Sequence, residues 1–191
     1  MKECFGYFAI ILTFVGFASL FINIVKGKAK PHPFTWMIWA SVTLIVFFAQ
    51  FFSNGGIGTW SVGISGLIAF LVAILAYVKT DDGTIVKTDI AIVLVAVFSL
   101  CVWFITKNTL YTVLILTFVD LLAYLPTYRK AFYKPFEEHL TIFVIMTFRN
   151  VFSAVAMEDY SITNLSFQVF TALANTILIV EVLYRRSKLK K

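Results

Sequence analysis

Seven apolar runs occupy most of the chain, at 5–25, 34–52, 60–78, 90–106, 109–126, 140–157 and 162–183. A helix needs about 17–25 such residues to cross a bilayer, so each run predicts a membrane-spanning helix. The alternative, a soluble globule, would have to bury a chain that is 60% hydrophobic and only 14% charged, where soluble domains carry roughly a quarter charged residues. Phe occurs 21 times against 9 Gly and 4 Pro, which excludes a disordered or low-complexity chain. The predicted class is an all-α integral membrane protein.

The breaks between runs carry loop chemistry: 26–33 is KGKAKPHP, 53–56 is SNGG and 80–83 is TDDG. Their charges test the division, because Lys and Arg accumulate on the cytoplasmic side. The N-terminus and the second, fourth and sixth loops hold Lys2 and Lys107, 2 cations, whereas the other loops and the tail hold 13; Arg149, inside a run, completes the 16. This asymmetry predicts an outside N-terminus and a cytoplasmic C-terminus in a cell membrane. The cations of the first run follow its apolar stretch and no Ala-x-Ala site ends it, so it is expected to stay as a helix rather than serve as a signal peptide. The basic residues lie in short clusters between runs, which argues for orientation in a membrane rather than a nucleic-acid surface. The tail 185–191 is expected to meet anionic lipid headgroups.

Shifting the chain against itself by 104 residues lays Lys26 on Lys130, Lys30 on Lys134 and Pro31 on Pro135, and an apolar helix, a cationic turn and a Pro-led helix recur in the same order. The chain therefore reads as a three-helix repeat at 1–79, a linker helix within 80–108, and a second three-helix repeat with its basic tail at 109–191. One linker helix between three-helix units makes both enter the membrane from the same side, as parallel repeats with a solute path between the halves.

The layout of three helices, one and three, the outside N-terminus and the Pro126-Thr-Tyr-Arg-Lys130 cue resemble the SWEET and PQ-loop transporter superfamily. The resemblance covers nearly the whole chain in architecture and a few residues in motif. It implies passive or proton-coupled movement of a small polar solute through a central cavity between two three-helix bundles. The name-giving Pro-Gln pair is Pro126-Thr127 in the second repeat and Ile22-Asn23 in the first, so the hinge proline, Pro126, is present once. The resemblance also implies an asparagine at mid-depth on the last helix of each repeat; Asn175 fits in the second, and the first offers Ser65.

Two charges fall inside apolar runs. Asp120 lies six residues before Pro126, about 9 Å along a helix, and Arg149 can lean to a similar depth because helical side chains tilt toward the N-terminus. An ion near the bilayer centre costs about 2.5–3.5 kcal/mol on insertion scales and so faces a partner or a wet cavity. Three readings stay open: a buried Asp120–Arg149 brace between the fifth and sixth helices; a site in which one or both line the cavity and contact solute, or Asp120 takes up a proton during transport; or no contact between the two. Asn164, Gln168, Thr171 and Asn175 recur at steps of four, three and four, one polar stripe on the seventh helix. It serves either as interhelical glue or as the lining of a hydrated path. Asn150 and Ser153, with Asn23 and Gln50, would add donors and acceptors. Gly58, Gly63 and Gly66 fit close helix approach, and Trp36 and Trp39 an interfacial belt.

Cys4 and Cys101 form neither a disulfide framework nor a CxxC site, and His32 and His139 lack the spacing of a metal site. No nucleophile and base or HExxH motif points to an enzyme, and no lysine in the seventh run offers a retinal attachment. No cofactor is expected. The transporter reading thus stands against a membrane scaffold or accessory protein without transport, and a homo-oligomer is compatible with either.

Overall fold

The computed structural model describes residues 1–26, 33–79, 108–133, 135–137 and 140–189, with positions 90, 94, 98, 101, 102 and 104–106 of the linker stretch. Most of the expected linker helix, including Lys87 and Trp103, lies outside the described residues, as do Lys28, Lys30, His32, Lys107, Lys134, His139, Lys190 and Lys191. The side chains of Asn23, Pro126, Arg129 and Lys130 lie outside them too.

The described residues are helical, without strands. The helices are α1 (Lys2–Val25), α2 (Pro33–Phe52), α3 (Trp60–Lys79), α4 (Thr109–Ala123), α5 (Leu125–Tyr133), α6 (Leu140–Val155) and α7 (Ile162–Leu189), with 3-10 turns at Gly56–Thr59 and Pro135–Glu137. Local chemistry sets several of the ends. Asn108 caps α4 by accepting from the Leu110 N–H at 2.9 Å, and Pro33 opens α2, where its missing N–H costs nothing. The run predicted at 109–126 breaks at Tyr124, two residues before Pro126, and restarts as α5. A proline at 126 has no N–H to return to the carbonyl four residues earlier, so the helix cannot run straight through.

Three stretches, Lys2–Ile22, Gly56–Val78 and Ile162–Leu189, are long and apolar enough to cross a membrane, and Trp36–Phe52, Thr109–Ala123 and Leu140–Val155 are shorter apolar helices. The polarity of the bundle is inverted relative to a soluble protein. Phe8, Phe14, Phe48, Leu71, Phe118 and Phe170 are exposed, while Gln50, Thr59, Ser61, Ser153, Asn164 and Gln168 are fully buried. That distribution is consistent with a membrane location, where apolar surface needs no cover and polar groups seek one another.

Helix contacts follow one pattern before and after the stretch 80–107. α3 packs against both α1 and α2, and α7 against both α4 and α6; across the middle, α1 meets α6 and α2 meets α4. Close approach at the α2–α3 seam depends on missing side chains, since a Cβ on Gly63 would stand 2.7 Å from the Phe47 ring and one on Gly66 would stand 2.8 Å from Leu44. α7 continues beyond its neighbours, and Arg185 and Arg186 turn back to donate to the carbonyls of Phe132 and Pro135 at 2.9 and 3.0 Å. These two cations of the basic tail thereby satisfy one carbonyl at the end of α5 and one in the 3-10 turn that follows it.

Candidate functional site: a central cavity

A cavity of about 340 Å³ lies between the two helix sets. Every long described helix contributes to it: Phe17 and Leu20 from α1, Trp36, Trp39 and Thr43 from α2, Ser65 and Ala69 from α3, Asp120 from α4, Arg149 and Asn150 from α6, and Phe167, Thr171 and Asn175 from α7. The lining begins at mid-helix and extends toward the side where α1 and α4 end and α2 and α6 begin.

Asp120 and Arg149 both face this space, yet they do not form the brace. Arg149 is 4% exposed and spends its donors on neutral acceptors. Nε donates to the Thr13 hydroxyl at 3.3 Å, Nη1 to Asn150 Oδ1, and Nη2 to the Ser61 carbonyl and the Ser65 hydroxyl, both at 2.6 Å. The guanidinium thus ties α6 to α1 and α3 and leaves one of its five N–H groups on Nη1 unspent. Asp120 lies within electrostatic reach of that charge, with Thr171 as a polar neighbour, but no ion pair links the two among the described residues. Two opposite charges therefore share one cavity without neutralising each other by contact.

The polar stripe of α7 divides between two tasks. At its N-terminal end Gln168 and Gln50 exchange hydrogen bonds in both directions, each 3.0 Å, and Asn164 Nδ2 donates to the Ser53 carbonyl at 2.8 Å. Ser153 adds a bond to the Gly58 carbonyl at 2.7 Å. This layer is packed, with Gln50, Gln168, Ser153, Asn164 and Met157 all buried. At its C-terminal end the stripe lines the cavity. Asn175 Oδ1 accepts from the Tyr124 hydroxyl at 3.0 Å, while its Nδ2 is buried without a partner. The Thr171 hydroxyl, beside Asp120, has no other partner.

Of the residues singled out from the sequence, Asp120, Arg149, Asn150 and Asn175 come together on the cavity. Gln168 does not; its amide is committed to Gln50. The side chain of Asn23 lies outside the described residues, and position 126 falls in the first turn of α5, next to the break at Tyr124. Ser65 contributes as an acceptor for Arg149 rather than as a counterpart of Asn175. Trp36 and Trp39, expected in an interfacial belt, stand on the cavity wall, edge to face with ring centres 5.3 Å apart. Thr13 and Tyr124 went unnoticed. Tyr124 had one available signal, its place four residues after Asp120 on the same helix face.

A second, open depression of about 500 Å³ sits at the opposite end, against Tyr7, Phe51, Asn54, Trp60 and Glu158. Its floor contains Asn54 and Gly56, whose φ angles of 57° and 64° are left-handed. A Cβ at Gly56 would also strike the Glu158 side chain at 2.4 Å. Among the described residues no group of three or more His, Cys, Asp or Glu side chains gathers to hold a metal. No model of a known protein family, no characterised protein and no solved structure matches the chain.

Proposed function

We propose that the protein is a membrane transporter or facilitator that moves a small polar solute through the central cavity, with an architecture like that of the SWEET and PQ-loop superfamily. The observation that carries the reading is the cavity itself: a space of about 340 Å³ between the helix sets, holding the buried Arg149, the half-buried Asp120 and unpartnered polar groups.

The matched contact pattern, α3 between α1 and α2 and α7 between α4 and α6, with α1–α6 and α2–α4 across the middle, supports two parallel three-helix repeats joined by a linker. In this reading the chain crosses a cell membrane seven times with its N-terminus outside. The cavity then lies toward the cytoplasmic side, and the Gln50–Gln168 layer is the closed outer side of an inward-facing state. Transport would require that layer to open, with the break at Tyr124 and Pro126 as the place where the first helix of the second repeat bends.

A scaffold without transport calls for buried polar groups confined to helix contacts; the Gln50–Gln168 layer and the bonds of Arg149 to Thr13, Ser61 and Ser65 are of that kind, whereas Asp120 and Asn175 Nδ2 face the cavity without such a contact. The test is uptake of labelled sugars, amino acids and vitamins into liposomes carrying the purified protein, with and without a pH gradient. Saturable uptake of one class above empty liposomes is the expected result; uniform silence in both conditions would favour the scaffold.

A further inference from the structure

Resting on that reading of the cavity, we infer that the solute is a zwitterion of the amino-acid kind, whose ammonium faces Asp120 and whose carboxylate faces Arg149.

The cavity presents one fixed anion and one fixed cation that do not touch. Each acceptor around Arg149 is neutral, two hydroxyls, one amide oxygen and one backbone carbonyl. They hold the guanidinium in place without cancelling its charge, and one Nη1 N–H remains for a ligand. On the other wall stand the Asp120 carboxylate and the Thr171 hydroxyl, with the unpartnered Asn175 Nδ2 beside them. Leaving a buried charge without a counter-charge is costly, and solutes differ in how they meet that cost. A sugar or another uncharged polyol satisfies the polar atoms and leaves the two charges to compensate each other only at a distance. A simple amine answers Asp120 alone and a simple carboxylate Arg149 alone. A molecule with both groups on a short frame answers both.

The remaining wall constrains the body of the solute. It is apolar, with the rings of Phe17, Trp36, Trp39, Phe143 and Phe167 beside Leu20, Ile142 and Met146, and Phe17 and Trp36 meet edge to face at 6.3 Å. About 340 Å³ is room for one amino acid with an apolar side chain, near the lower end of the range of ligand pockets.

The test is binding to the purified, detergent-solubilised full chain by calorimetry and thermal shift. The probes are L-alanine, L-leucine, L-phenylalanine, phenethylamine, 3-phenylpropionate and glucose. At least one amino acid is expected to bind and to raise the melting temperature; deleting either charge from the phenylalanine frame is expected to cost tenfold or more in affinity. Asp120→Asn should abolish the advantage of phenylalanine over 3-phenylpropionate, and Asp120→Glu should restore part of it, a pattern that a general folding defect does not produce. Equal affinity for phenylalanine and either single-charge compound, binding of glucose alone, or no binding by any of the amino acids would overturn the inference. Uptake of the same compounds into proteoliposomes separates the two readings. Amino-acid binding without flux removes transport and keeps the zwitterion, whereas flux of glucose alone keeps transport and removes the zwitterion.

Discussion

Gln50 and Gln168 pair head to tail, the amide nitrogen of each 3.0 Å from the amide oxygen of the other. Gln50 Nε2 also reaches the Asn164 carbonyl at 3.2 Å. The pair joins α2 to α7, two helices from opposite sides of the linker, and lies on the packed side of the cavity. Hydrogen bonds between helices in a membrane contribute about 0.6 kcal/mol on average and up to about 1.7. A reciprocal two-bond pair belongs at the upper end of that range.

A double-mutant cycle over Gln50→Ala and Gln168→Ala is therefore expected to give a coupling of about 1–1.7 kcal/mol in unfolding by heat or denaturant. The single variants should also increase labelling of a cysteine placed at Ser153 by a water-soluble thiol reagent, in a background where Cys4 and Cys101 are replaced. Additive destabilisation with unchanged labelling would mean that the pair neither couples the helices nor closes that side.

Arg149 makes four hydrogen bonds through a planar fork, and lysine offers three N–H groups on a single nitrogen. Arg149→Lys is expected to strand at least one buried acceptor and to lower stability by about 1–3 kcal/mol. Ser65→Ala removes one hydroxyl and should cost less, about 0.6 kcal/mol. Thermal melts of both variants against the parent protein decide the order; equal melting temperatures for Arg149→Lys and the parent would show that the fork geometry is unimportant.

The helices were legible in the sequence because a bilayer imposes long apolar runs, and the stripe on α7 was legible because helical spacing puts its members on one face. The direction in which Arg149 turns was not. Its partners Thr13, Ser61 and Ser65 stand 136, 88 and 84 residues away, and which helix lies beside α6 is a property of packing that no local spacing encodes. The same limit explains Trp36 and Trp39: a position at the start of a helix fits an interfacial belt, and only the neighbours of α2 turn those rings toward a cavity. The stripe likewise divides at Gln168 because Gln50 happens to face it across the bundle, leaving Thr171 and Asn175 to the open space.

Gly58 and Gly63 make a graded pair of tests for close approach. A Cβ at Gly58 would meet backbone, the Ser153 carbonyl at 2.6 Å and the Met157 nitrogen at 2.7 Å, whereas at Gly63 it would meet only the Phe47 ring, at 2.7 Å. Backbone cannot step aside as a ring can, so Gly58→Ala should cost more than Gly63→Ala. The expected losses are about 2–3 kcal/mol and about 1 kcal/mol. Melting temperatures in detergent measure the order, and a reversal would place the rigid contact at the α2–α3 seam instead of at the 3-10 turn.

Asp120→Asn separates a structural role from a functional one. Because no ion pair joins Asp120 to Arg149, the substitution breaks no contact between charges. It keeps the shape of the side chain beside Thr171, so the stability change should stay within about 1 kcal/mol. The cavity, however, loses its only fixed anion among the described lining residues, and uptake should fall tenfold or more at unchanged expression. Melting temperature and initial uptake rate measured on the same preparation give the answer. A large loss of stability would show that Asp120 is a brace after all, and unchanged uptake in a well-folded variant would remove it from the solute path.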